Sequence, residues 1–128
     1  MEHATAAELQ MRAYQQWREV VELGLHDSED LVYGIMPLLI EALNLDPDHL
    51  PSLDLMSDML MEVGAYEEAT ELVEKMLGLT PDDTDYRKKL TVLVSDAAQQ
   101  RRVVRAYLHQ KRLRLIHGDA PNPPQTPS

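Results

Sequence analysis

Two stretches of this chain, residues 42–48 and residues 76–82, match each other at an offset of 34 residues. Both have the pattern of a helix end followed by a connector, and both place a proline at the same point, Pro47 in one and Pro81 in the other. Self-similarity at a fixed period of about 20 to 50 residues is typical of folds built from stacked repeats. The feature therefore favours a repeat fold. The alternative is an ordinary six-helix bundle in which the similarity at 34 residues arose by chance.

Helix-start signals divide the chain into short helical segments. Thr5 and Glu8 form a capping-box pattern, Ser28 can cap a second helix, and Pro51 suits the first turn of a third. Pro37 interrupts the second segment, where it either kinks the helix or starts a separate one. We expect a kink or a break at this point.

The pattern as a whole predicts an all-α fold. Apolar residues make up 44% of the chain, enough for a core, and they recur at helical intervals with no strand pattern. We expect about six helices in three antiparallel helix-turn-helix pairs, forming one domain over residues 1–117. Residues 118–128 contain four prolines and no large apolar residue, which predicts a disordered tail.

Residues 50–83 resemble one unit of the tetratricopeptide repeat (TPR) family, and the helix pairs on both sides resemble it in a degenerate form. The matching positions are Leu53, Met56, Ser57, Leu60, Gly64, Tyr66, Ala69 and Pro81. Gly64 permits a tight turn, Ala69 lets two helices approach closely, and Pro81 ends the second helix. The resemblance implies a short superhelix of TPR-like helix pairs.

The resemblance also implies a concave groove, lined by the first helix of each pair, that binds a peptide segment of a partner protein. The residues expected to face this groove are Asp54, Asp58, Met61, Glu62, Asp85, Lys88 and Val92, with Lys89 as a further candidate. An acidic groove edged with methionine suits a basic and partly apolar ligand, because methionine adapts to irregular surfaces.

Charge is distributed unevenly along the chain. Residues 1–86 contain 20 of the 22 acidic side chains and only three basic ones, whereas residues 87–128 contain nine of the twelve Lys and Arg. The two parts therefore carry net charges of −17 and +7. Such asymmetry bears on association rather than on the fold, although an unevenly charged but merely solvated surface is the simpler interpretation.

The predicted last helix concentrates the basic residues. They are Arg101, Arg102, Arg105, Lys111, Arg112 and Arg114. A charged terminal helix keeps the end of a repeat array soluble, and the alternative is contact with nucleic acid or another anionic partner. Nucleic acid is the less favoured partner, because the acidic body would repel a long polyanion.

Several function classes lack their usual residues. Without cysteine the chain has no disulfide, no thiolate metal site and no thiol nucleophile, and its five histidines are scattered without metal-ligand spacing. The five glycines form no phosphate-binding loop. We therefore expect no enzyme activity, no cofactor and no metal site. The chain also lacks a long apolar span and a signal-peptide pattern, which predicts a cytoplasmic protein with no membrane partner.

These observations combine into one hypothesis of function, a noncatalytic adaptor or chaperone that binds a protein or peptide partner. A homodimer is a further expectation, because opposite charges at the two ends favour contact between copies. The surface expected to take part is either the irregular Gly34–Pro37 region or the basic last helix.

Overall fold

The computed structural model of this chain describes residues 3–117, which form six α-helices and no strand. The helices are α1 (Ala6–Glu22), α2 (Glu29–Leu45), α3 (Leu50–Glu62), α4 (Tyr66–Leu79), α5 (Thr84–Leu93) and α6 (Ala97–Ile116). The prediction of an all-α fold is confirmed. The predicted disordered tail, residues 118–128, lies outside the described residues.

Side-chain caps fix where most of these helices begin. Thr5 accepts a hydrogen bond from the Glu8 amide, and the Glu8 carboxylate accepts one from the Thr5 amide at 2.8 Å, so the predicted capping box is present. Ser28, Asp83 and Asp96 cap α2, α5 and α6 in the simpler way, with one side-chain oxygen accepting from a first-turn amide. Local sequence therefore specifies where these four helices begin.

Of the two alternatives at Pro37, a kink or a break, the break is excluded, because α2 is one continuous helix of 17 residues with Pro37 inside it. A proline removes one backbone hydrogen bond, here the one to the Tyr33 carbonyl four residues earlier. Both Pro37 and Tyr33 lie on the exposed side of α2, so water can solvate the freed carbonyl. The helix therefore tolerates proline at this position.

Two helical hairpins, α1–α2 and α3–α4, share the same turn geometry. The turn residues Gly24 and Gly64 have φ of +73° and +80°, a region that residues with a Cβ rarely adopt. The residue that follows each glycine donates its backbone amide to a carbonyl five residues earlier at 2.9 Å. The two hydrogen bonds run from Leu25 to Val20 and from Ala65 to Leu60. This pairing satisfies carbonyls at the helix end and closes the turn.

We expect Gly64→Ala to lower the free energy of unfolding by about 1 kcal/mol, because an L-residue is strained at this φ. Gly34→Ala is the matched control, since Gly34 lies inside α2 with nothing within 4 Å of the added Cβ. There the substitution should raise stability by about 0.5 to 1 kcal/mol. Urea denaturation measures both changes, and a stabilised Gly64→Ala protein would contradict the turn assignment.

The central helix is α3, which packs against α1, α2, α4 and α6. Eight of its thirteen residues are buried, on more than one face. Apolar residues such as Leu53 and Met59 face the main core, and Ala69 of α4 is fully buried in the same cluster. The remaining buried face of α3 is polar, and it is the face that α6 approaches.

Helix α6 returns across the first helices of the two hairpins. After the turn from α5, its backbone approaches α3 and α1, and among the described residues it approaches neither α2 nor α4. Val104, Tyr107 and Leu108 are buried along its inner face. Near its end, the Arg18 guanidinium of α1 donates to the Ile116 carbonyl at 3.4 Å. The basic helix therefore lies against the acidic part of the chain.

Candidate interaction surface

Three carboxylates follow one face of α3 at intervals of one helical turn. They belong to Asp54, Asp58 and Glu62, which we call the acidic row. Positions four residues apart lie above one another on a helix, so the row presents a continuous negative strip toward α5 and α6. Sequence analysis placed this strip in an open groove.

The first cation that meets the acidic row is Lys89 of α5, whose side chain is completely buried. Its Nζ donates to Asp54 Oδ1 at 2.7 Å and to the Asp54 carbonyl at 3.0 Å. Asp58 Oδ1 is 2.6 Å from the same nitrogen but lies outside hydrogen-bond geometry, so that contact is a charge pair. One ammonium group thus bridges two carboxylates.

The second and third cations come from α6. Lys111 Nζ donates to Asp58 Oδ2 at 2.7 Å and lies 3.3 Å from both carboxylate oxygens of Asp54. The Arg112 guanidinium donates to Glu62, whose side chain is only 6% exposed. Three carboxylates and three cations therefore neutralise one another in this cluster, which is built from α3, α5 and α6.

The pairing changes the ionisation of Asp54 and Lys111. Burial opposes ionisation of Asp54, but the nearby ammonium groups of Lys89 and Lys111 outweigh it and lower the pKa of that carboxyl. Burial alone would lower the pKa of Lys111, yet Asp58 and Asp54 raise it above its usual range. Both groups are therefore held in their charged forms near neutral pH.

The pKa of Glu62 is shifted in the opposite direction from that of Asp54. Burial raises its pKa from 4.5 to about 6, against the opposing hydrogen bond and charge of Arg112. Asp58 and Asp27 raise the pKa further, because both are negatively charged. Ionised Glu62 is therefore less well accommodated than ionised Asp54.

The expectation of an open groove is wrong for three of its residues. Asp58 is 7% exposed, since Lys89 of α5 and Lys111 of α6 lie against it, and Met61 and Val92, 1% and 7% exposed, belong to the apolar core. The side chains of Asp54 and Glu62, 29% and 6% exposed, lie in the same ion-pair cluster, whereas Asp85 and Lys88 are exposed on α5. The structure thus brings the three acidic-row residues together and leaves Asp85 and Lys88 in solvent.

The basic residues of α6 fall into two groups. Arg101, Arg102, Arg105 and Arg114 are exposed. Lys111 and Arg112 are turned inward, 26% and 17% exposed, and pair with the acidic row. The sequence predicted a basic helix, and two of its six basic residues lie against the carboxylates of α3 rather than in solvent.

Lys89, which sequence analysis named only as a further candidate, holds the cluster together, whereas its neighbour Lys88 does not. The signal was present in the sequence. Tyr86, Val92 and Leu93 lie three or four residues from Lys89, so it belongs to the apolar face of α5. A lysine on an apolar face needs a buried partner, and the acidic row supplies it.

A second surface lies at the turn between α1 and α2, where a cavity of about 410 Å³ opens to solvent. We call it the turn pocket, and its lining residues are Gln16, Glu19, Val20, Leu23, Leu25, Asp30, Leu31, Gly34 and Ile35. Leu23 is 73% exposed, and Leu25 and Leu31 are also exposed. The pocket is thus apolar with carboxylates at its rim, and exposed apolar patches of this kind often mark contact sites.

Comparisons with protein-family models, with curated proteins and with solved structures found no match for this chain. Across residues 3–117, no helix is both long and apolar enough to span a membrane. The same residues contain no group of three or more His, Asp or Glu side chains placed to bind a metal ion.

Removal of the buried ammonium should be costly. We expect Lys89→Met to lower the free energy of unfolding by about 2 to 4 kcal/mol, because Asp54 and Asp58 then keep only Lys111 as a shared partner. Lys88→Met, at the exposed neighbouring position, should change it by less than about 0.5 kcal/mol. Equal effects of the two substitutions in thermal denaturation would contradict the assigned burial.

Glu62 should make stability depend on pH. Because folding raises its pKa from 4.5 to about 6, its contribution to stability falls as the pH rises through this interval. The free energy of unfolding of Glu62→Gln, relative to that of the wild type, should therefore increase by about 1 to 2 kcal/mol between pH 4 and pH 7. Chemical denaturation at several pH values measures this gain, with Glu67→Gln on the surface of α4 as the charge control. A difference that stays constant with pH would refute it.

Proposed function

We propose that this protein is a small cytoplasmic TPR-like interaction module, a noncatalytic adaptor or chaperone that binds a basic and partly apolar segment of a partner protein. The observation that carries the proposal is the fit between the acidic row and α6. That helix is itself a basic and partly apolar segment, held by Lys111 and Arg112 and by buried apolar residues. The α3 surface thus accommodates a ligand of the proposed chemistry.

The geometry of the acidic row favours a helical ligand over an extended one. Its carboxylates are spaced by one helical turn, and adjacent cations on α6 reach Asp58 and Glu62 respectively. Burial strengthens such contacts, because the low dielectric of a covered surface screens charge less than water does. Apolar contacts beside the charges then contribute affinity, and the charges select a basic partner.

The TPR relationship is part of the proposal. It is supported by the α3–α4 hairpin, in which Gly64 occupies a turn that requires positive φ and Ala69 is fully buried where the family pattern has a small residue. The α1–α2 hairpin closes with the same turn at Gly24, in agreement with a degenerate copy of the unit.

A contact with an anionic partner is the second candidate function. Arg101, Arg102, Arg105 and Arg114 are exposed, and none of them forms an ion pair within residues 3–117. Unpaired arginines along one helix can bind phosphate or carboxylate groups. The expected homodimer also remains a proposal, and the turn pocket, which includes Gly34, is an apolar surface that a second copy would cover.

Three labelled amphipathic peptides of equal length and identical apolar positions test the proposal, one basic, one neutral and one acidic. We expect the full-length protein to bind the basic peptide at least about tenfold more tightly than the acidic one in fluorescence anisotropy. Raising the salt concentration should weaken this preference.

Opposite results would favour the second candidate. If the acidic peptide or a short DNA duplex binds more tightly, and Arg101→Glu with Arg105→Glu abolishes that binding, the exposed face of α6 is the functional surface. If none of these probes binds, the interaction-module proposal is wrong.

A further inference from the structure

Helix α6 contacts the acidic row in the way that a bound ligand would. Lys111 and Arg112 are adjacent in sequence, and they bridge to carboxylates that lie 53 and 50 residues away. Only three of the twenty residues of α6 are buried, namely Val104, Tyr107 and Leu108. The helix is thus held mainly by a short apolar stripe and one adjacent basic pair. Partly buried Val103, Leu115 and Ile116 and the hydrogen bonds from Gln100 to Leu93 and from Arg18 to Ile116 add to this contact.

The rest of the described fold is joined without α6. The contacts of α1 with α2, α3 with α4, α4 with α5, α2 with α3 and α1 with α3 involve none of its residues. These five contacts link α1 to α5 in an unbroken sequence. When α6 detaches, only this last helix leaves its position. The helix that carries the acidic row, α3, stays packed against α1, α2 and α4.

We infer that α6 is a displaceable internal occupant of the acidic row, and that the partner is an amphipathic helix with the same arrangement of groups. This inference rests on the function proposed above. The partner helix carries an apolar stripe equivalent to Val104, Tyr107 and Leu108, followed by two adjacent basic residues equivalent to Lys111 and Arg112. It binds by replacing α6, so that the protein is self-blocked in its free state.

Tethering makes the self-block effective. A segment joined to its site by a short connector competes at a high effective concentration, here through the three residues between α5 and α6. The apparent affinity for a partner is then the intrinsic affinity reduced by the fraction of molecules in which α6 is detached. Any change that weakens the α6 contact without altering the acidic row should increase partner affinity.

A labelled synthetic peptide with the sequence of residues 97–117 is the probe for this inference. Anisotropy titrations compare the full-length wild type with Lys111→Glu, which places a negative charge against Asp54 and Asp58 and so releases α6. Arg101→Glu is the matched control, because it makes the same charge change at an exposed position of the same helix. We expect Lys111→Glu to bind the peptide about tenfold more tightly than the other two proteins.

Hydrogen exchange on the wild type provides a second readout. With saturating peptide, the amides of α6 should lose protection while those of α1 and α2 keep theirs. If Lys111→Glu fails to fold, Lys111→Gln replaces it in the titrations. If the amides of wild-type α6 exchange as slowly as those of α3 even with saturating peptide, α6 is a fixed part of the structure and the inference is wrong.

The results separate this inference from the proposed function. If the peptide binds all three proteins equally and α6 keeps its protection, the partner binds elsewhere, so the inference is wrong and the proposed function stands. If the designed basic peptide binds but the 97–117 peptide does not, the inference is again wrong alone. If neither peptide binds, both are wrong.

Discussion

The structure depends on a lysine ammonium group buried between two aspartates. Burial of one charge in a protein interior costs several kcal/mol unless it is paired and hydrogen-bonded, and Lys89 meets both conditions by contacting Asp54 and Asp58. Once Lys89 is in place, the two aspartates still carry an excess negative charge, which Lys111 neutralises from α6. With Lys89 of α5 between the two aspartates, one further positive charge is needed there. Helix α6 crosses α3 at the point where Lys111 provides that charge.

Local features of the fold could be read from the sequence, since their causes lie within a few residues. The Thr5–Glu8 capping box, the Gly64 turn and the all-α pattern each depend on neighbours along the chain. The path of α6 depends instead on pairs such as Asp54 with Lys111, which are 57 residues apart, and no local pattern encodes that distance. The sequence alone left two outcomes open at Pro37, a kink or a break, because the effect of a proline on α2 depends on whether its side of the helix is exposed.

The sequence predicted which acidic residues form the candidate site, but not that cations of the same chain already occupy it. Asp54, Asp58 and Glu62 were predicted among the groove residues, with a basic and partly apolar segment as their ligand. The last helix of the same chain is such a segment, and its pairing with these residues was not predicted. The charge division at residue 86 carried this information, since an acidic body followed by nine basic residues can satisfy its charges internally. Two interpretations of that asymmetry were considered, a solvated surface and contact between molecules, and neither accounts for the intramolecular pairing.

The return of α6 to α1 also fixes an order of assembly during synthesis. Arg18 and Ile116 are 98 residues apart, so their contact forms only after almost the whole described chain has been made. The two glycine-turned hairpins involve short separations, and such local structure forms quickly, whereas distant contacts form late. A nascent chain folds from its N-terminus as it emerges. Until residues 111 and 112 have been made, Asp58 and Glu62 therefore lack the cations that α6 supplies to them.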